Sequence, residues 1–345
     1  VGHVAVAGAP AMAALVALSL GIATRAIPRP HAAAAWLALC LAWAVGRTPA
    51  PAGALRVTFL DVGQGDAALV ELPDGGVWLI DAGGQASARD IAQGAAPGRA
   101  IDRVLAAYDH TRIDLAIVSH PHPDHYLGLA GIEAPIGELW TAEAGAPGTD
   151  EPGTDKIEPP RARMPVGLPG FAAIAAQLAA RGTRLVHPAL GAVRAQGGVE
   201  LVVWAPRYRA AADAPETCAA DPVRTVNDNS LVVALRYRDR TLLFTGDVEA
   251  EAEDELVAAG IGHADVVKVP HHGSPTSSTA ALIAATQPAL AVISCGRGNS
   301  FGFPSREVVD RWRDAGADIA RTDRDGAITV TIDLQGALAI ERFAP

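Results

Sequence analysis

Three of the chain's ten histidines, His120, His122 and His125, fall within six residues, with Asp124 among them and a short apolar run at 115–119 directly before. Imidazole and carboxylate suit divalent zinc, manganese or iron, and a tight turn at a strand end can aim alternate side chains at one point. Two further strand ends carry matching donors. Residues 242–245 run into Gly246 and Asp247, where glycine lets the backbone turn closely and the carboxylate emerges at the tip, placed to bridge two cations. Residues 266–269 run into Pro270, His271, His272, Gly273 and Ser274, which offer at least one more imidazole. Alone, a Gly-Asp pair is a turn. Beside the histidine cluster it reads as part of a two-metal centre, which activates water between its cations and clamps the attacking and leaving oxygens of a phosphoryl substrate.

The elements that must position these groups arrive in two series. Strands are predicted at 56–61, 67–72, 77–81 and 115–119, with a helix at 99–108 and the HPHPDH run as loop. The stretch 145–169 is rich in Pro, Gly and acid and reads as an exposed insertion. A helix at 171–181 follows, then strands at 201–204, 231–237, 241–245, 266–269 and 290–294, with helices at 249–259, 279–286 and 305–315. Two strand groups, each followed by helices, predict an α/β unit of two packed sheets with helices outside.

Ahead of this unit, residues 1–24 carry no charge apart from the titratable His3, long enough to cross a bilayer as a helix. Residues 30–46, with Trp36 and Trp43, form a shorter second apolar run closed by Arg47. The expectation is therefore two transmembrane helices in 1–47, a Pro/Gly linker at 48–54 and a hydrolase domain at 55–343. A chain that starts with Val rather than Met reads as a fragment of a longer membrane protein, and not as one with a signal peptide. Arg25 and Arg29 bias the loop between the spans to the cytoplasm, so the domain is expected on the extracytoplasmic side of the cell membrane.

With 345 residues, half of them hydrophobic and 19% charged, the chain is neither disordered nor a charged binding tail. Its formal charge is −10, from 28 basic and 38 acidic residues. The first 47 residues hold three Arg and no acid, so the rest carries 25 basic against 38 acidic groups, or −13. That balance excludes a protein that coats DNA through a basic surface. Cys40, Cys218 and Cys295 lie far apart, without zinc-ribbon or redox spacing.

The chain resembles the metallo-β-lactamase superfamily in Asp81 of LIDAGG, in SHPHPDHYLGL, in Asp247 of LLFTGDVEAEAE and in His271 of VKVPHHGSPTSS. FLDVGQGDAALVEL, NDNSLVVALRY, ISCGRGNSFGFPS and RTDRDGAI are similar to the hydrolase-like domain of ComEC-type DNA-uptake competence proteins. The resemblance implies an αββα sandwich, a membrane-tethered phosphodiesterase or nuclease acting on single-stranded DNA during transformation, and two Mn or Zn ions. It implies that His120 and His122 hold one metal, that Asp124, His125 and His271 hold the second, and that Asp247 bridges, with Asp124 and Asp247 catalytic. The first metal is then short of a ligand and is expected to bind weakly. His187 is the one His between the run and Asp247 and reads as a surface residue, and Phe303 stands in SFGFPS where such proteins carry the His of YGHP.

Asp81, Asp66 and His272 are expected around the ligands. Lys268, one of two lysines, sits beside a ligand strand, where it could neutralise a substrate phosphate or simply be salt-bridged. Asn229 and Ser230 are expected near the site without a catalytic role. Expected partners are DNA, the membrane and components of a competence channel. The alternatives are hydrolysis of an envelope phosphodiester, such as a choline-phosphate ester, and a non-catalytic domain of a DNA channel.

Overall fold

The computed structural model describes residues 52–85, 87–142 and 168–343. The expected spans in 1–47 and nearly all of the insertion at 145–169 lie outside the described residues. Within them, no helix is long and apolar enough to cross a membrane.

Strands β1 (Leu55–Phe59), β2 (Ala67–Glu71), β3 (Val77–Ala82), β4 (Ile113–Ile117), β5 (Ile136–Trp140) and β6 (Arg184–Val186) share a sheet with β14 (Ala327–Ile332) and β15 (Leu338–Phe343), in the order β15-β14-β1-β2-β3-β4-β5-β6. The second sheet holds β7 (Val193–Gln196), β8 (Val199–Ala205), β9 (Val232–Tyr237), β10 (Arg240–Phe244), β11 (Val266–Lys268), β12 (Leu290–Ile293) and β13 (Asp318–Arg321), ordered β13-β12-β11-β10-β9-β8-β7. In each sheet one half, out to an edge, is parallel (β3-β4-β5-β6 and β10-β11-β12-β13) and the other half is antiparallel.

Alternate residues of each central strand feed two different cores. Val57, Phe59, Trp78, Ile80 and Leu115 meet Leu201, Val233, Leu242, Phe244 and Val292 between the sheets, where the rings of Phe59 and Phe244 stack at 5.6 Å. On the outer face of the first sheet, Leu69, Leu79 and Ile113 pack against Ile101 and Leu105 of the helix Ala96–Ala107 and Leu178 of Phe171–Ala180. On the outer face of the second, Ala234, Leu243 and Val267 pack against Leu256, Leu282 and Trp312 of the helices Ala250–Ala258, Ala280–Thr286 and Arg306–Asp314. This is the αββα layering, and burial on both faces explains why these strands read as continuous apolar runs.

The C-terminal ends of β4, β10 and β11 open onto one edge of the sandwich, and the candidate ligands follow them directly. One expectation is corrected here. The HPHPDH run is not all loop, because Pro123–Tyr126 forms a helical turn: proline presets φ at its first position, and the His125 and Tyr126 amides donate to the His122 carbonyl.

Candidate metal centre

Asp247 is the hub. It leaves β10 through Gly246, whose φ is +56° and whose added Cβ would lie 2.7 Å from that of Ser230. The Ser230 hydroxyl accepts from the Asp247 amide at 3.0 Å and so fixes the carboxylate's aim. Around its Oδ2 stand His125 Nε2 at 3.2 Å, His272 Nε2 at 3.3 Å, His120 Nε2 at 3.8 Å and His271 Nε2 at 4.0 Å. Asp124 Oδ2 lies 3.4 Å from His272 Nε2.

The ring nitrogens facing away from Asp247 are anchored by neighbours. His125 Nδ1 donates to Asp81 Oδ2 at 2.9 Å, and His272 Nδ1 donates to the Ser294 carbonyl at 3.0 Å. Asp81 also accepts from the Ser119 amide at 2.8 Å and from the Ser119 hydroxyl at 2.9 Å; that hydroxyl in turn lies 3.1 Å from His120 Nδ1. Anchoring Nδ1 this way leaves Nε2 lone pairs directed inward, which is how metal-binding imidazoles are prepared. His120 Nε2 and His122 Nδ1 lie 2.9 Å apart.

Four buried or half-buried carboxylates (Asp66, Asp81, Asp124 and Asp247) gather at the site; Lys268 meets Asp66 and Asp247, and Asp124 faces His272. Burial would suppress ionisation of Asp247, yet the charges of His125 and His272 hold its carboxyl well below the usual range. Burial also opposes charge on His125 and His272, but the surrounding carboxylates, Asp247 first, raise both well above the ordinary imidazole value. His120 goes the other way, lowered by burial and then by the charges of His125 and His122.

The donor set fits divalent metal. His125 Nε2, His272 Nε2, Asp247 Oδ1 and Asp66 Oδ1 are all buried without a hydrogen-bond partner. Donor atoms of His120, His125 and Asp247 lie within 4.8 Å of one another, as do those of Asp124, His125 and His272, and those of Asp66, Asp247 and His272. These three groups are linked through His125, Asp247 and His272, an arrangement that suits two adjacent cations.

Several expected roles shift. His272, expected around the ligands, points at Asp247 and Asp124, while His271, the expected ligand, keeps its Nε2 4.0 Å from Asp247 Oδ2 and also lies against Glu249, Asn227 and Phe303. Both residues have left-handed backbone, with φ of +48° and +53°, and that turn brings both imidazoles to Asp247, His272 the nearer. Lys268 is not available to substrate: its side chain is 4% exposed, pairs with Asp66, lies 3.6 Å from Asp247 Oδ1 and donates to the Gly246 carbonyl at 3.3 Å. Asp66 sits closer to the centre than expected, on a loop where Gly65 passes so near that a Cβ would fall 2.2 Å from the Asp124 carbonyl. His187 is exposed and bonds the Thr141 carbonyl at 3.1 Å, outside the cluster. Asn229 ties down its own loop through Asp221 and Thr225, while Asn227, not singled out from the sequence, contacts His271 and keeps a buried Oδ1 without a hydrogen bond.

A family profile described as the metallo-beta-lactamase superfamily matches residues 60–297, more than half of the chain and every residue around Asp247 discussed above except Phe303. The chain belongs to the metallo-β-lactamase superfamily. Within this superfamily of hydrolases it is similar to ComEC-type competence proteins. It is 34% identical to Recombination protein 2 of Haemophilus influenzae over 126 residues, covering 35% of this chain and 16% of that protein. It is 35% identical to ComE operon protein 3 of Bacillus subtilis over 111 residues, covering 32% and 14%. It is 33% identical to Competence protein ComA of Neisseria gonorrhoeae over 120 residues, covering 34% and 17%. The aligned part is thus a small fraction of these relatives' own length. Among solved structures, the metallo-beta-lactamase fold protein YhfI from Bacillus subtilis aligns with a TM-score of 0.44 at 9% identity, over 83% of this chain and 99% of that one.

Proposed function

We propose that this superfamily member is a dimetal phosphodiesterase that cleaves single-stranded DNA at the membrane during DNA uptake. The observation that carries the chemistry is the convergence of the His125 and His272 Nε2 atoms on Asp247 Oδ2, with Asp124 beside them. The DNA assignment rests on the resemblance to competence proteins. Residues 1–47 would anchor the domain, facing the extracytoplasmic side beside a DNA channel.

Bound divalent cations, Mn or Zn, would polarise the phosphoryl oxygens and lower the pKa of water. Asp124, His125, Asp247 and His272 would hold the better-supplied ion. His120 and His122 would share Asp247 around the weaker one. Asp81 and the Ser294 carbonyl keep the imidazoles oriented, and Lys268 neutralises Asp66 without reaching the substrate. Asp124 has a side chain 22% exposed, against 8% for Asp66 and 3% for Asp247. Of these three carboxylates, Asp124 would therefore be the one most open to substrate and water.

The test is hydrolysis by the full chain, with manganese or zinc, of single-stranded DNA, duplex DNA and a choline-phosphate ester. Metal-dependent cleavage of the single strand that is lost in Asp124→Ala is expected. Cleavage of the choline ester alone would overturn the substrate, and no hydrolysis of any of them would overturn the enzyme.

A further inference from the structure

Beside the metal centre, the loop between β12 and the helix Arg306–Asp314 presents two aromatic rings that play no part in metal binding. Phe301 and Phe303 stack at 5.7 Å with an interplanar angle of 19°, and Phe303 meets the His271 ring edge-on at 5.6 Å. Phe303 is half-buried against the site, but Phe301 is 42% exposed. The loop is braced. Asn299 donates to the Gly296 and Phe303 carbonyls at 2.9 and 2.6 Å and accepts from the Phe303 amide at 3.1 Å. The Gly296 amide is held by Gln64 at 3.1 Å. The bracing holds the Phe301 ring, stacked on Phe303, in water beside the site.

Arg297 lies on the same loop. It is exposed, gives Nε to the Asp323 carbonyl at 3.1 Å and, among the described residues, pairs with no carboxylate. An aromatic face and an uncompensated guanidinium on one braced loop are the two elements that hold single-stranded nucleic acid: rings stack on bases of any sequence, and cations follow the phosphates. Resting on the phosphodiesterase reading above, we infer that Phe301, backed by Phe303, is a stacking ledge for a base next to the scissile phosphate, with Arg297 holding a neighbouring phosphate. This subsite also reconciles nucleic-acid binding with an acidic domain, because it relies on stacking more than on charge.

The test uses the full chain and a fluorescent single-stranded oligonucleotide, with binding read by anisotropy in calcium. Phe301→Ala is expected to weaken binding about fivefold or more, the low end for one base-aromatic stack. Phe301→Trp should restore it, and an oligonucleotide abasic throughout should bind all three proteins alike. A Kd for Phe301→Ala within about twofold of the parent, at unchanged Tm, would overturn the ledge. So would an equal weakening toward the abasic strand. A parent that binds the oligonucleotide through Phe301 but never cleaves it would support the ledge and sink the nuclease reading instead.

Discussion

At His271 and His272 two adjacent imidazoles differ in what they face. His272 Nε2 lies 3.3 Å from Asp247, while His271 Nδ1 lies 3.3 Å from Glu249. His272→Ala should therefore remove the metal that survives dialysis, and His271→Ala should leave most of it in place. Elemental analysis of the two dialysed proteins checks this, and the reverse pattern would return the ligand role to His271. Asp81 is the residue-scale support. It holds His125 and, through Ser119, the backbone that enters the histidine run. Asp81→Asn keeps the shape but loses the charge, and should lower metal affinity about 10- to 100-fold by titration calorimetry, the usual cost of losing such an outer partner.

At the scale of elements, the site depends on strand tips held at close quarters. Gly246→Ala would demand a left-handed alanine with its Cβ 2.7 Å from Ser230, and so push the end of β10 away from β9. A loss of about 1–3 kcal/mol in urea unfolding is expected, together with weaker metal binding. Far from the site, β1 and β2 are joined by Arg56 and Glu71, and His110 Nε2 approaches Glu71 at 2.9 Å. Burial would raise the Glu71 carboxyl, but its bonds to His110 and Arg56 prevail and lower it. A lowered carboxyl contributes stability above its unfolded value near 4.5, which is lost as pH falls through the folded value. Glu71→Gln should flatten the acid limb of a stability-against-pH curve, and an unchanged limb would show that the bridge is silent.

For the whole molecule, the crowding of four carboxylates around Lys268 and the imidazoles makes cation binding a term in stability. Added manganese or zinc should raise Tm in proportion to the logarithm of its concentration, and EDTA should reverse the gain. Occupancy should be unequal. On the proposed assignment Asp124, His125, Asp247 and His272 would supply four ligands, and the residues around His120 fewer, so one equivalent should survive dialysis and activity should need added metal. Two retained equivalents would mean that a further donor completes the weaker site, with Asn227 first to be examined. Orientation relative to the membrane needs a new probe, since Cys218 and Cys295 are buried and burial pushes both thiols up to about 12. Val223 is 89% exposed, and Val223→Cys in intact cells should react with an impermeant label if the domain is extracytoplasmic.

Much was legible from the residues alone because it depends on local pattern. The doubly buried strands β2, β3, β9 and β10 read as apolar runs, and the donor-bearing strand ends after β4, β10 and β11 read as one chemistry. β15 escaped because it is almost wholly exposed, and β6, at three residues, is too short to carry a period. The choice between His271 and His272, the burial of Lys268 and the inward place of Asp66 could not be read locally. Each is set by how a left-handed turn and a glycine loop dock against other strands, over sequence separations that no period records. Residue type and spacing determined that this chain can gather imidazole and carboxylate. Only the packing of two sheets face to face decided which of those groups meet, because a side chain's aim belongs to the backbone beneath it and to the neighbours that hold it.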